Sequence, residues 1–167
     1  FAKSDPSRDT PNLQFHIQPI STDKLGGANL HDFHAFTPTV ANIRPTSRGE
    51  ISISSSDTKV NPKIKMNYLS TDEDRKVAAD GIKLIRKIVM ETNEFKKYEP
   101  EEFRPGSHLN DKEEIVKACS HYAQTIFHPV GTCKLGNDVS AVVSDKLKVH
   151  GLNKLRVIDA SIMPNIT

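Results

Sequence analysis

From Ser70 to Glu91 the chain places apolar residues at Val77, Ile82, Ile85, Ile88 and Val89, roughly the spacing of one face of a helix. The run Ser70-Thr71-Asp72-Glu73 supplies a start. A hydroxyl there can accept from the free amides of a first turn, and the carboxylates sit near the positive end of the helix dipole. The spacing predicts a long amphipathic helix to about Glu91. A helix of this kind needs an apolar surface to cover, and the rest of the chain must supply it.

Strand signals precede it. Between Pro11 and Pro19, Leu13, Phe15 and Ile17 alternate with Gln14, His16 and Gln18, the period of a half-buried strand. Residues 21–34, rich in Gly, Asp and His, read as an exposed connection able to fold over something. Phe36 to Ile43 has β character, followed by the turn-forming Arg44-Pro45-Thr46-Ser47-Arg48-Gly49 and then Glu50-Ile51-Ser52-Ile53-Ser54. This predicts an antiparallel hairpin. Lys63 to Tyr68 forms a further short strand with Ile64, Met66 and Tyr68 on one side. A second helix is expected from Lys112 to about Ala123, entered through Asn110-Asp111, with Ile115, Val116, Cys119 and Tyr122 on one face. Beyond it the chain is irregular, broken by Gly131, Gly136, Gly151 and Pro164, with one short strand at Leu155-Arg156-Val157-Ile158. Antiparallel strands followed by helices predict an α+β fold, a mostly antiparallel sheet backed by helices on one face.

With 167 residues and 36% hydrophobic content, one domain is the expectation. The 23 basic and 21 acidic side chains are interleaved and leave a net charge of +2, which argues neither for nor against a polyanionic partner. No run approaches the roughly 18 apolar residues of a membrane span, and Phe1-Ala2-Lys3-Ser4-Asp5 has no signal-peptide pattern. The chain starts without methionine and stops at Asn165-Ile166-Thr167, just after a patterned segment. Both ends are therefore expected to be cuts.

Several chemistries lack their motifs. His121, His128 and Cys133 lie close in sequence, but the paired spacings of a zinc site and HExxH are absent, so no metal is expected. There is no GxSxG elbow, and Cys119 and Cys133 form no CxxC pair. The eight glycines form neither GxGxxG nor a P-loop. His128 stands out because it follows Ile126-Phe127 and precedes Pro129, which keeps the local backbone out of helix. Gly131 then allows a close backbone approach. The residues alone give a rigidly held imidazole at a loop edge and favour a structural role bonded to a carbonyl over a catalytic one.

Four linked blocks add to this reading. They are Phe127-His128-Pro129-Val130-Gly131-Thr132-Cys133-Lys134-Leu135-Gly136, Ala141-Val142-Val143, Leu147 to Leu152, and Leu155-Arg156-Val157-Ile158-Asp159-Ala160-Ser161-Ile162-Met163-Pro164. In order and spacing they resemble the closing signature of the glucose-methanol-choline (GMC) oxidoreductases, flavoproteins that oxidise alcohols. Upstream, Pro11 to His16, Arg44 to Gly49, and Asn61-Pro62 through Tyr68 look like the substrate-domain strands of the choline and alcohol dehydrogenase branch, so the resemblance covers essentially the whole chain. Leu135 stands where the family usually has Met, and Ser144-Asp145 where Asp-Pro is common.

The resemblance implies a GMC substrate domain, incomplete without the FAD-binding Rossmann part. Residues 1–126 would form the substrate-binding domain, and 127–167 a truncated C-terminal active-site and FAD-contacting segment. His128 matches the family's base, which takes the alcohol proton while hydride leaves for the flavin. Asp159 and Ala160 match the segment that reaches FAD, although on local grounds alone strand termination and capping by Asp159 or Ser161 is the preferred reading. Thr132 and Cys133 are expected to pack and hydrogen-bond to hold His128. A second catalytic His or Asn is implied beyond Thr167, and the isolated chain is expected to be inactive. The implied partners are a small-molecule alcohol and the missing N-terminal FAD domain, with no nucleic acid. The implied location is the cytoplasm or a membrane surface. The competing possibilities are a non-catalytic remnant or scaffold domain, and a GMC-type lyase.

Overall fold

The computed structural model describes residues 1–23 and 29–166, which fall into two compact units. The first joins residues 1–43 with 71–124, the second 44–70 with 125–167.

In the first unit, β1 (Leu13–Gln18) pairs antiparallel with β2 (Thr37–Asn42), Leu13 opposite Asn42 and Gln18 opposite Thr37. Pairing thus spans the 19–36 connection, and the hairpin expected between residues 36–43 and 50–54 is not formed. The turn-like residues after Ile43 carry the chain out of the first unit instead, so β2 turns back to the upstream strand. Of the connection, Lys24 to Ala28 lie outside the described residues. On either side, Thr22 bridges Leu30 and the Thr22 hydroxyl donates to the Asn29 carbonyl at 3.0 Å.

The long helix, α1 (Asp72–Arg86), begins as the sequence predicts, with the Thr71 hydroxyl accepting from the Asp74 amide. It packs on β2, where Gly81 lets the helix approach Val40. From Lys87 to Glu91 the coil widens into a π-helical turn. Val89 is buried there while Ile88 is exposed, so the predicted stripe changes phase near its end. A short α2 (Asn93–Lys96) follows, and α3 (Lys112–Tyr122) is capped by the Asp111 carboxylate, which accepts from the Glu113 and Glu114 amides. Leu13, Ile43, Val77, Ala79, Val89, Ile115 and Ala118 form the buried core. The second helix therefore buries Ile115 and Ala118, whereas Tyr122 from its predicted apolar face is exposed.

In the second unit, β3 (Glu50–Ser52) pairs antiparallel with β4 (Lys63–Lys65), Ile51 opposite Ile64. Gly49 fits this crossing because a Cβ there would lie 2.3 Å from the Lys65 carbonyl oxygen. The predicted strand to Tyr68 stops at Lys65, and Asn67 and Leu69 then adopt φ of 55° and 54°, breaking the extended backbone. The remainder is irregular. Val143 is fully buried between bridges to Leu135 and Val149, and the expected strand 155–158 is reduced to a Lys148–Arg156 bridge. Antiparallel strands with helices bear out the α+β expectation. Among the described residues no helix is long and apolar enough to cross a membrane.

Candidate active site

His128 sits in the irregular part of the second unit with its side chain exposed. Immediately before it, Phe127 has φ of 60°, uncommon for a residue with a Cβ and costing on the order of 1–3 kcal/mol. The Phe127 amide is fixed by donating to Thr125 Oγ1 at 3.1 Å, and that same oxygen accepts from the Tyr68 hydroxyl at 3.1 Å. After His128, Pro129 fixes its own φ and keeps His128 out of helical backbone. Gly131 has φ of 88°, and a Cβ there would lie 3.5 Å from the Met163 carbonyl oxygen. Backbone angle, not space, selects glycine at this position.

The segment then runs beside the last block of the sequence. The Cys133 amide donates to the Ser161 carbonyl at 2.9 Å, and the Leu135 amide to the Ile162 carbonyl at 2.8 Å. The structure thus joins the two segments that carry His128 and Asp159-Ala160. Asp159 caps a short 3-10 turn (Ala160–Ile162), its carboxylate accepting from the Ser161 amide at 2.8 Å. The Ser161 hydroxyl and amide hold that carboxyl below the usual carboxylate range. The local capping role weighed for Asp159 is therefore present, while the Ala160 amide makes no hydrogen bond among the described residues.

His128 makes no hydrogen bond or ion pair among the described residues, which leaves its ring nitrogens available to a ligand. Cys133 contributes through its amide, and neither Thr132 nor Cys133 bonds to His128. Thr125 and Tyr68 do the local anchoring, and sequence reasoning missed both. The faint signal available was the hydroxyl of Thr125 two residues ahead of Phe127, the spacing of a side-chain turn. Among the described residues no three His, Cys, Asp or Glu side chains converge to hold a metal ion.

The GMC oxidoreductase family profile matches residues 45–167, and the chain belongs to that family. It is 40% identical over 166 residues to an oxygen-dependent choline dehydrogenase of Proteus mirabilis, covering 99% of this chain and 30% of that protein. It is 42% identical, with the same coverage, to an alcohol dehydrogenase (acceptor) of Pseudomonas putida. The crystal structure of pyridoxine 4-oxidase from Mesorbium loti superposes with a TM-score of 0.85 at 28% identity, covering 100% of this chain and 33% of that one. The chain spans about 30% of the length of these curated relatives.

Proposed function

We propose that this chain is the C-terminal, substrate-side part of an FAD-dependent oxidoreductase that oxidises an alcohol CH–OH group to an aldehyde, with His128 as the base. In this reading residues 1–126 contribute to the substrate domain, and 127–167 carry the reacting histidine and the flavin-contacting segment. The relatives include choline and alcohol dehydrogenases, which supports a small alcohol as substrate. The observation that carries the assignment is His128 itself, an exposed, unpartnered imidazole behind a backbone fixed at Phe127 and Pro129.

An imidazole nitrogen accepts the hydroxyl proton of the alcohol as the carbinol C–H bond breaks, and such general-base help is worth about 10²–10⁴-fold. FAD supplies the acceptor for the hydride when bound. This chain offers it the free amide of Ala160, a donor suited to a phosphate oxygen. The Asp159 carboxylate serves by keeping the 160–162 turn closed, since it is already engaged with Ser161. The glycine-rich nucleotide cradle is absent from this sequence, so these residues form one edge of a flavin site.

The test is His128→Ala in the full-length protein, followed by stopped-flow reduction of the flavin by alcohol. A loss of at least about 100-fold with unchanged flavin content is expected. Undiminished reduction would remove His128 from the mechanism.

A further inference from the structure

We infer that Tyr68 is a positioning residue for His128, acting through Thr125 and the backbone of Phe127. The inference rests on the reading of His128 as the base. The Tyr68 hydroxyl and the Phe127 amide both donate to Thr125 Oγ1, each at 3.1 Å. One oxygen therefore ties a ring 57 residues upstream of it to the peptide directly ahead of His128. Phe127 is in the left-handed region, with φ of 60°, and relaxes toward negative φ when its amide is released. That rotation turns the following peptide and swings the His128 ring. Pro129, with its own φ fixed, resists a compensating turn on the other side.

Tyr68 is itself held unusually firmly. Its neighbours Asn67 and Leu69 both have positive φ. The Asn67 side chain donates to the Arg48 carbonyl at 2.9 Å, and the Ser70 amide to Ser47 Oγ at 3.0 Å. One strained residue, Leu69, an asparagine in the left-handed backbone it tolerates, and two ties surround a tyrosine that is 59% exposed in this chain. Apolar burial within this chain does not account for holding the ring this way, whereas aiming its hydroxyl at Thr125 does. Backbone strain of this kind persists only where the surroundings over-determine it.

The experiment compares Tyr68→Phe, Thr125→Val and Thr125→Ser with His128→Ala in the full-length protein. Tyr68→Phe and Thr125→Val are expected to slow alcohol-dependent flavin reduction on the order of tenfold, with apparent KM, flavin content and thermal midpoint unchanged. Thr125→Ser, which keeps the oxygen, should restore the rate. The Tyr68→Phe/Thr125→Val double variant should be no slower than Thr125→Val alone, because both changes cut one linkage. A second readout needs no turnover: in protein labelled with [13C]histidine, the resonance lost in His128→Ala should shift or broaden in Tyr68→Phe and Thr125→Val but not in Thr125→Ser. If His128→Ala is inactive while Tyr68→Phe and Thr125→Val match the parent, the positioning role is overturned. A slower Tyr68→Phe enzyme with an unmoved His128 resonance overturns it too, since the loss then reaches the reaction by another route. If His128→Ala stays fully active, the base assignment fails, and the resonance alone decides whether Tyr68 positions the ring.

Discussion

Arg86, the last residue of α1, is engaged on every side of its guanidinium. Its guanidinium binds both oxygens of Glu102 at 2.8 and 2.9 Å and donates to the Leu109 and Gly106 carbonyls at 2.6 and 2.9 Å. Only 16% of the Arg86 side chain and 12% of the Glu102 side chain are exposed. Removing the arginine leaves a carboxylate and two carbonyls with little water to replace it. A fully buried pair broken in this way costs about 3–5 kcal/mol. The residual exposure lowers the expectation for Arg86→Met to about 2–3 kcal/mol, read as a drop in urea-unfolding free energy. Arg86→Lys should lose much of the same amount, because an ammonium cannot span the fork; full stability in Arg86→Lys would show that charge alone matters. Nothing in the sequence marked this residue, since its partners lie in an irregular segment without period. His128 differed: its neighbours Phe127 and Pro129 were visible locally, but only the linked blocks raised it above a structural histidine.

Elements whose signals are local were legible, and those defined by distant pairing were not. Thr71 and Asp111 each cap amides two or three residues away, so both helix starts could be read directly. The partner of β2 lies across the 19–36 connection, and the nearby Pro45 and Gly49 mimicked a hairpin turn instead. The Tyr68–Thr125 contact is more distant still, 57 residues apart in sequence. The contact between α1 and β2 shows how tightly such pairing is built. A Cβ on Gly81 would lie 3.1 Å from both γ-carbons of Val40 and 3.6 Å from Leu13 Cδ2. In a helix interior Ala is favoured over Gly by about 0.8–1 kcal/mol. Against that, overpacking costs about 1–3 kcal/mol, and the branched Val40 cannot rotate both methyls away. The second effect should win, so Gly81→Ala is expected to destabilise by about 1 kcal/mol. An increase in the thermal midpoint would show that α1 can shift outward without cost.

At the scale of the whole molecule, near-neutral net charge conceals a consistent pattern of carboxylates engaged at home. Asp5 is held low by the Ser7 amide, Asp23 by the Arg104 guanidinium, Asp72 by Arg75, Asp138 by Ser140 with Lys134, and Asp159 by Ser161. They belong to both units, so acid acts on the entire chain. Each has a folded pKa below its unfolded value of about 3.9, and in acid the unfolded chain therefore binds more protons. Their stabilisation is present above that value and is lost as the pH falls through the lowered folded pKa values. Cys119 works at the other end of the scale, because burial pushes its thiol up. Above its unfolded pKa of about 8.5, the unfolded chain ionises more readily than the folded one, and stability falls as the pH rises. Urea midpoints measured from acid to alkaline pH should therefore form a plateau between about pH 5 and 8, with a limb on each side. Cys119→Ala should flatten the onset of the alkaline limb and leave the acid limb in place. The carboxylate assignment fails if stability instead holds constant through the region below about pH 4. An alkaline limb unchanged by Cys119→Ala would mean that burial of the thiol is not what sets it.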